Sequence, residues 1–190
     1  EAESHCTALV NAAGPWINTV LAGIVPRVPP SAIELVQGTH IVLDGPLQRG
    51  VYYIEAEDGR AVFVMPWRGM TLVGTTETPF RGDPAQVRPL AAEVEYLLHT
   101  FHRHFPQRDA QVHDQFAGLR VLPLAEGAVF HRPRETLCRT DAPEQPRLVN
   151  IYGGKLTGYR ATAEKVLALL APTLPARTRR GDTRTLPLGP

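Results

Sequence analysis

The chain has 190 residues, of which 43% are hydrophobic and 21% are charged, and its formal net charge is +1. These values are typical of a globular protein and provide no long-range attraction for nucleic acid. No apolar run reaches the roughly 18 residues of a transmembrane helix, and two cysteines without metal-ligand spacing favour a reduced, cytoplasmic setting.

The first predicted elements are a strand and a helix. Residues 8–13 form a short apolar run that Gly14 and Pro15 end, and apolar residues at helical spacing follow from Trp16 to Ile24. This order predicts a βα unit whose helix N-terminus faces a ligand or, as in many such turns, binds nothing. The chain begins with neither a signal peptide nor an initiator Met, so we expect a piece of a longer polypeptide.

A proline-rich break over residues 26–30 precedes a long strand with a period of two. The pattern assigns alternate residues to opposite faces: Leu35, Gln37, Thr39, Ile41 and Leu43 on one, and Glu34, Val36, Gly38, His40 and Val42 on the other. His40 therefore lies beside Gly38 on one face. A histidine in that position is either a structural residue or a proton acceptor.

A run of antiparallel strands and one helix follow. Asp58 and Gly59 separate two strand-like runs and predict a hairpin, which residues 71–76 continue. Residues 86–105 have helical spacing. The pattern predicts Val94, Leu98, Phe101 and Phe105 on the inner face, and Glu93, Glu95 and Arg103 outside.

Three histidines of this helix, His99, His102 and His104, raise the question of a metal site. His99 and His102 share a face, but His104 lies well round the helix, and no second group of ligands is evident. We therefore expect a solvated helix face and no metal.

Residues 115–123 predict another strand, which carries Arg120 among mainly apolar neighbours. A charge there is costly to bury unless it is paired, so Arg120 forms a structural salt bridge or clamps an anionic ligand. Residues 135–139 and 147–151 predict two further short strands.

Residues 151–160 predict a sharp strand-to-helix corner, with the sequence Ile-Tyr-Gly-Gly-Lys-Leu-Thr-Gly-Tyr-Arg. Gly153 and Gly154 allow a tight turn, and Lys155 adds a charge to the positive end of the following helix. The corner is either an anion site or a plain turn. The helix is expected to end near Pro172, with one inner stripe: Leu156, Tyr159, Ala163, Val166, Leu167 and Leu170.

The order of these elements predicts an α+β fold. An antiparallel or mixed sheet with flanking helices is inserted between partial, discontinuous Rossmann-like βα pieces at both ends. The predicted segments are residues 1–28 with the first βα piece, residues 29–146 with the sheet, residues 147–174 with the closing βα unit, and a linker or tail over residues 175–190. The chain has no G-x-G-x-x-G and no Walker-type glycine loop.

Read together, several motifs resemble those of FAD-dependent glycerol-3-phosphate dehydrogenases, which belong to the D-amino-acid-oxidase-like flavoproteins. The motifs occur in the same order and at similar spacing over about residues 7–170: residues 10–16, 38–42, 66–67, 74–77, 82–84, 118–120 and 153–160. The first of these motifs is shared by many amine and hydroxy-acid flavo-oxidases, whereas the glycine corner with Gly-Thr-His and Gly-x-Arg is narrower.

The resemblance implies oxidation of sn-glycerol 3-phosphate to dihydroxyacetone phosphate, with FAD taking a hydride from C2 and a quinone taking the electrons. Arg120 and Lys155 match positions beside the substrate phosphate and hydroxyls, and His40 matches a histidine close to the substrate. Cofactor-binding positions are matched by Asn11, Ala12, Gly14, Gly153, Gly154, Leu156 and Thr157. By this resemblance the fold is α/β by family, residues 1–28 are a partial FAD-binding segment, residues 29–146 are the domain with the substrate-binding sheet, and residues 147–174 close the FAD-binding domain. Peripheral attachment to the inner face of the cytoplasmic membrane is also implied, and a homodimer is possible.

The chain departs from the family pattern in several places. Val121 follows Arg120 where proline is usual, Gly158 replaces a common threonine, and Glu77 replaces a common aspartate. The segment 125–134, which includes Arg132, is short against the family. Because the glycine-rich N-terminal unit is missing, we expect this fragment alone to bind FAD weakly or not at all and to be inactive.

Two alternatives remain. One is a related FAD-dependent oxidase of an amine or a 2-hydroxy acid. The other is a non-catalytic binding module descended from such a domain. Arg120 and Lys155 together favour a phosphorylated substrate, and their presence with His40 argues against a module without activity.

Overall fold

The computed structural model describes residues 3–124, 135–178 and 180–186. These residues form nine strands, three α-helices and three short 3₁₀ helices. The strands are β1 (Leu9–Asn11), β2 (Ile33–Leu43), β3 (Tyr52–Glu55), β4 (Ala61–Trp67), β5 (Met70–Gly74), β6 (Thr78–Phe80), β7 (Val112–Pro123), β8 (Thr136–Thr140) and β9 (Leu148–Gly153). The helices are α1 (Ile17–Ala22), α2 (Ala91–His104) and α3 (Tyr159–Leu170), and the 3₁₀ helices span Gly14–Trp16, Pro84–Gln86 and Leu156–Gly158.

The chain divides into two units, and the second is inserted into the first. Unit 1 consists of Glu1–Ala32 and Pro133–Pro190, and unit 2 is Ile33–Arg132. The second crossing differs from the predicted boundary after residue 146, because β8 pairs with β9 of unit 1. The local sequence of β8 does not indicate which of the two sheets this strand joins. The functional labels of the domains stay a prediction, and segment 125–134 lies outside the described residues.

Unit 2 is built on a six-stranded sheet in which β2 is the central strand. The order β3-β4-β5-β2-β6 is joined by β7, which pairs antiparallel with β2 along its length. Gly59, with φ of 77°, makes the turn of the predicted β3–β4 hairpin. One face of the sheet packs on α2 in a core that contains Ile41, Val64 and Val73 of the strands and Leu97 and Phe101 of the helix. The predicted α+β class is confirmed.

The buried face of α2 differs from the predicted one. Phe101 is almost fully buried, as predicted, and so is Leu97, which was not predicted. The predicted Val94, Leu98 and Phe105 are only partly buried at the margin of the core. Glu93 was expected in solvent and is instead buried, with 6% of its surface exposed. A carboxylate becomes tolerable there because donors from other strands surround it, as described below, and a helical pattern does not reveal such donors.

Unit 1 contains a three-stranded sheet in the order β1-β9-β8. β1 and β9 are parallel, as expected for two βα pieces, and α3 packs on this sheet through Val149, Val166 and Leu170. The predicted inner stripe of α3 is only partly correct. Val166 and Leu170 are buried, whereas Leu156, Tyr159 and Leu167 are exposed by 89%, 59% and 59%. Among the described residues, no helix combines the length and the apolar character needed to cross a bilayer.

Candidate functional site

His40 and Arg120 lie on the same face of the unit 2 sheet, opposite α2. In the pairing of β2 with β7, Val36 faces Arg120, Gly38 faces Gly118 and His40 faces Phe116. Since successive residues of a strand alternate between faces, these positions share one face. The structure thus brings together two of the three predicted catalytic residues.

Glycines on this face make room for both side chains. A Cβ at Gly38 would lie 2.6 Å from Thr75 Oγ1 and 2.8 Å from Arg120 Nη2. A Cβ at Gly74 would lie 2.7 Å from His40 Cγ. The two positions therefore exclude any larger residue as long as the arginine and the imidazole keep their places.

The guanidinium of Arg120 is fixed by the segment that connects β5 and β6. It donates from Nη1 to the Thr76 carbonyl at 3.2 Å and from Nη2 to Thr75 Oγ1 at 3.1 Å. Nη1 also forms an ion pair with Glu77 Oε1 at 3.6 Å. The sequence left a salt bridge and an anion clamp open, and the structure shows the salt bridge. The side chain keeps 24% of its surface exposed, which leaves access for an anion.

The surroundings of His40 favour the neutral imidazole. Its ring stacks on Phe116 with the centroids 5.1 Å apart and an angle of 8° between the planes. Burial and then the positive charge of Arg120 lower the pKa of His40 from the ordinary 6.5. Its Nδ1 is buried and finds no hydrogen-bond partner within the described part of the chain. A neutral imidazole has one nitrogen without a proton and can accept a proton there.

Behind this face, Glu93 is the functional candidate that sequence reasoning missed. Its carboxylate accepts from Thr76 Oγ1 and Thr78 Oγ1, each at 2.7 Å, and from Gln37 Nε2 at 2.6 Å. It also accepts from Thr39 Oγ1 at 2.5 Å and from the Leu90 backbone N–H at 3.2 Å. The signal available in the sequence was its place three residues after a helix N-cap, where glutamate serves in a capping box.

The glycine corner lies in unit 1 and is shaped by its backbone. Gly153 and Gly154 have φ of 69° and 87°, which L-residues with a side chain rarely adopt. A Cβ at Gly154 would also collide with Thr136 Oγ1. Lys155, Leu156 and Thr157 follow as exposed residues at the start of the 3₁₀ helix that leads into α3. Lys155 belongs to unit 1, whereas His40 and Arg120 belong to unit 2.

The other cofactor-binding candidates lie at the end of β1. Asn11 is 3% exposed, and its side-chain amide donates to the Ile17 carbonyl at 3.0 Å and to Asn150 Oδ1 at 2.9 Å. Its own Oδ1 accepts from the Ala13 N–H at 3.3 Å. Ala12 is exposed and Gly14 has φ of 53°. The Asn11 side chain is therefore used to fix the turn, which leaves backbone groups to contact any ligand.

No group of three or more metal-ligating side chains occurs within the described ranges. His99 instead lies 3.2 Å from Glu57 Oε1, and His104 Nε2 is 2.8 Å from the Glu55 carbonyl. These histidines contact hairpin groups separately.

The chain is similar in sequence to known FAD-dependent oxidoreductases. The family model described as FAD dependent oxidoreductase matches residues 1–164. A glycerol-3-phosphate dehydrogenase of Pseudomonas aeruginosa is 38% identical over 173 residues, covering 87% of this chain and 33% of that protein. An aerobic glycerol-3-phosphate dehydrogenase of Escherichia coli strain K12 is 33% identical over 171 residues, covering 86% and 34%. The chain spans about a third of the length of these relatives.

Two solved structures are also similar to this chain. The crystal structure of the glycerol-3-phosphate dehydrogenase from Bacillus halodurans complexed with FAD aligns with a TM-score of 0.68 and 31% identity, over 86% of this chain and 32% of that one. A glycine oxidase from Bacillus cereus aligns with a TM-score of 0.60 and 15% identity, over 88% of this chain and 43% of that one. The second likeness concerns the fold alone.

Proposed function

We propose, since this chain belongs to the FAD dependent oxidoreductase family, that the protein containing it oxidises sn-glycerol 3-phosphate to dihydroxyacetone phosphate. The observation that carries this proposal is the guanidinium of Arg120, held beside a neutral imidazole on an accessible sheet face. The relatives named glycerol-3-phosphate dehydrogenase support the same substrate.

In this proposal, Arg120 binds the phosphate of the substrate. Its planar fork suits a multidentate phosphate, and the bonds to Thr75 and Thr76 fix its orientation before substrate arrives. The ion pair of Arg120 with Glu77 is long, at 3.6 Å, so part of the positive charge of the guanidinium is available to an incoming phosphate dianion.

His40 removes the proton of the C2 hydroxyl. The lowered pKa of His40 keeps the ring neutral near pH 7, as a proton acceptor requires. Stacking on Phe116 orients the ring, and Gly74 leaves the space it occupies. When bound, FAD supplies the acceptor for the hydride that leaves C2.

The residues of unit 1 fit an FAD contact at the glycine corner. The left-handed conformations of Gly153 and Gly154 open the backbone, and Leu156 and Thr157 are exposed at the N-terminal end of a helix with no side-chain cap. Such an end favours the electron-rich edge of a flavin. We assign this contact to these four residues, with Asn11, Ala12 and Gly14 at the end of β1 and with Lys155 adding a positive charge.

Further parts of the proposal come from the family resemblance. We propose a quinone as the electron acceptor and peripheral attachment at the inner face of the cytoplasmic membrane. We also propose a homodimer, and no nucleic-acid partner, which agrees with the net charge of +1. A simple assay of membrane fractions, with and without high salt, separates peripheral attachment from a purely cytoplasmic location.

The experiment uses the complete polypeptide that contains this chain, with a dye as electron acceptor. We expect turnover with glycerol 3-phosphate and none with sarcosine or glycine. Arg120→Ala should raise KM for glycerol 3-phosphate about a hundredfold, as expected when a charged hydrogen-bonding partner is removed. Arg103→Ala, which removes a half-exposed guanidinium on α2, is the matched control and should leave KM unchanged.

Preferential oxidation of sarcosine, glycine or a 2-hydroxy acid would contradict the proposal and favour the oxidase alternative. A complete protein that retains no flavin and oxidises none of these compounds would instead favour the non-catalytic binding module.

A further inference from the structure

Glu93 is a buried carboxylate, and all of its hydrogen-bond donors among the described residues are neutral groups. Its contacts are the four side-chain donors and one backbone N–H described above, and no described lysine or arginine lies within salt-bridge distance of it. Burial raises the pKa of Glu93, but the hydrogen bonds from Thr39, Thr78, Thr76 and the Leu90 backbone outweigh it and hold that pKa below its usual value. The group is therefore ionised, and its charge is distributed over these donors.

The donors come from separate segments of unit 2. Gln37 and Thr39 belong to β2, and Thr76 and Thr78 belong to the connection between β5 and β6 and to the start of β6. A capping glutamate of α2 needs only the Leu90 N–H. The additional donors show that Glu93 also joins the helix to two parts of the sheet.

Thr76 connects Glu93 directly to the predicted phosphate site. Its hydroxyl donates to Glu93 and accepts from the Thr39 N–H at 2.8 Å, while its own N–H lies 3.3 Å from the Thr39 carbonyl. Its carbonyl accepts from Arg120 Nη1. Every polar group of Thr76 is thus engaged, and one of them holds the guanidinium.

We propose that Glu93 is a positioning residue for Arg120. Its carboxylate on one side of the sheet fixes Thr76, so that the Thr75 hydroxyl and the Thr76 carbonyl on the other side present Arg120 to the substrate phosphate. The same carboxylate fixes Thr39, the residue between Gly38 and His40. This inference rests on the proposed function for the identity of the substrate, but not for the link from Glu93 to Arg120.

The variant Glu93→Gln tests the link with little change of volume. The amide replaces one acceptor oxygen by an NH₂ donor, which then opposes hydroxyl groups that now donate to the carboxylate. The NH₂ group is expected at the Oε1 position, because the Oε2 position accepts from Gln37 Nε2 and from the Leu90 N–H. The Thr76 hydroxyl then loses the acceptor to which it donates. We expect Arg120 Nη1 to leave hydrogen-bond distance of the Thr76 carbonyl in a crystal structure of the complete variant protein.

In the complete enzyme, Glu93→Gln should raise KM for glycerol 3-phosphate and the inhibition constant of inorganic phosphate in parallel, each about tenfold, with kcat changed less than about threefold. Glu95→Gln, on the exposed side of the same helix, is the control and should change neither value. A purely structural role would lower thermal stability without this separation of KM from kcat.

A second variant, Thr76→Val, keeps the carbonyl that holds Arg120 but removes the hydroxyl that Glu93 binds. Thr76→Val should also raise KM for glycerol 3-phosphate, and it provides a test of the link if Glu93→Gln does not fold. Unchanged contacts of Arg120 in the variants overturn the inference whatever the substrate is. Failure of the unsubstituted enzyme to oxidise glycerol 3-phosphate refutes only the proposed function, and the position of Arg120 in the variants then still decides this inference.

Discussion

The sheet face of unit 2 and the glycine corner of unit 1 both depend on glycine, for opposite reasons. Gly38 and Gly74 have no left-handed φ, and a side chain there would strike Arg120 or His40. Gly153 and Gly154 have positive φ and are needed for their own backbone conformation. In the proposed function, the first region recognises a ligand through side chains that fill space left by glycine, and the second offers backbone groups directly.

The largest expected effect comes from filling the space beside Arg120. Gly38→Ala should raise KM for glycerol 3-phosphate in the complete enzyme at least about tenfold, because the new Cβ displaces the guanidinium. Gly118→Ala is a matched control on the opposing strand, since a Cβ at Gly118 meets nothing within 4 Å. Equal KM values for the two variants would show that Arg120 does not depend on the space left by Gly38.

In the glycine corner, the expected effect is on stability. Gly154→Ala should lower the free energy of unfolding of the complete protein by about 1–2 kcal/mol, the cost of a left-handed L-residue, and contact with Thr136 adds to it. Gly158→Ala is the control, because its φ is −89° and a Cβ there has open space. Urea unfolding gives the free energy of unfolding of both variants. A loss of stability in Gly158→Ala but not in Gly154→Ala would contradict the role assigned to the left-handed conformation of Gly154.

The smallest expected effect is a displacement of the pH profile. Only neutral His40 accepts a proton, so kcat/KM should fall as the pH drops through the lowered pKa of His40, below the ordinary 6.5. Phe116→Ala exposes the ring, weakens the main cause of that lowering and moves the acid limb to higher pH. Phe63→Ala, on the same face and stacked edge-on with Tyr53, is the control. The same acid limb in both variants would exclude His40 as the group observed.

Much of unit 2 could be predicted from local pattern. The period of two in β2 assigned His40 and Gly38 to one face and Thr39 to the other, because side chains of a strand must alternate. The hairpin at Gly59 followed from turn chemistry for the same local reason. A salt bridge of Arg120 was one of two open possibilities, but the sequence did not identify Glu77 as its partner.

What failed depended on partners distant in the sequence. Glu93 looked like a solvent residue because the hydroxyls that stabilise it come from strands far along the chain. The strand 136–140 was grouped with the wrong sheet, since its pairing with β9 is a tertiary fact. Leu156 was predicted inside on helical periodicity, although the sheet of unit 1 does not extend to cover it. The roles of the predicted site residues stay predictions.

The parallel pairing of β1 with β9 also determines the order in which the protein forms during synthesis. Asn11 and Asn150, which are hydrogen-bonded, are 139 positions apart. All of unit 2 is synthesised before Leu148, so its sheet has time to fold before β9 becomes available to pair with β1. A folded insertion shortens the effective loop that β9 must close, and it thereby reduces the entropy lost when unit 1 is completed.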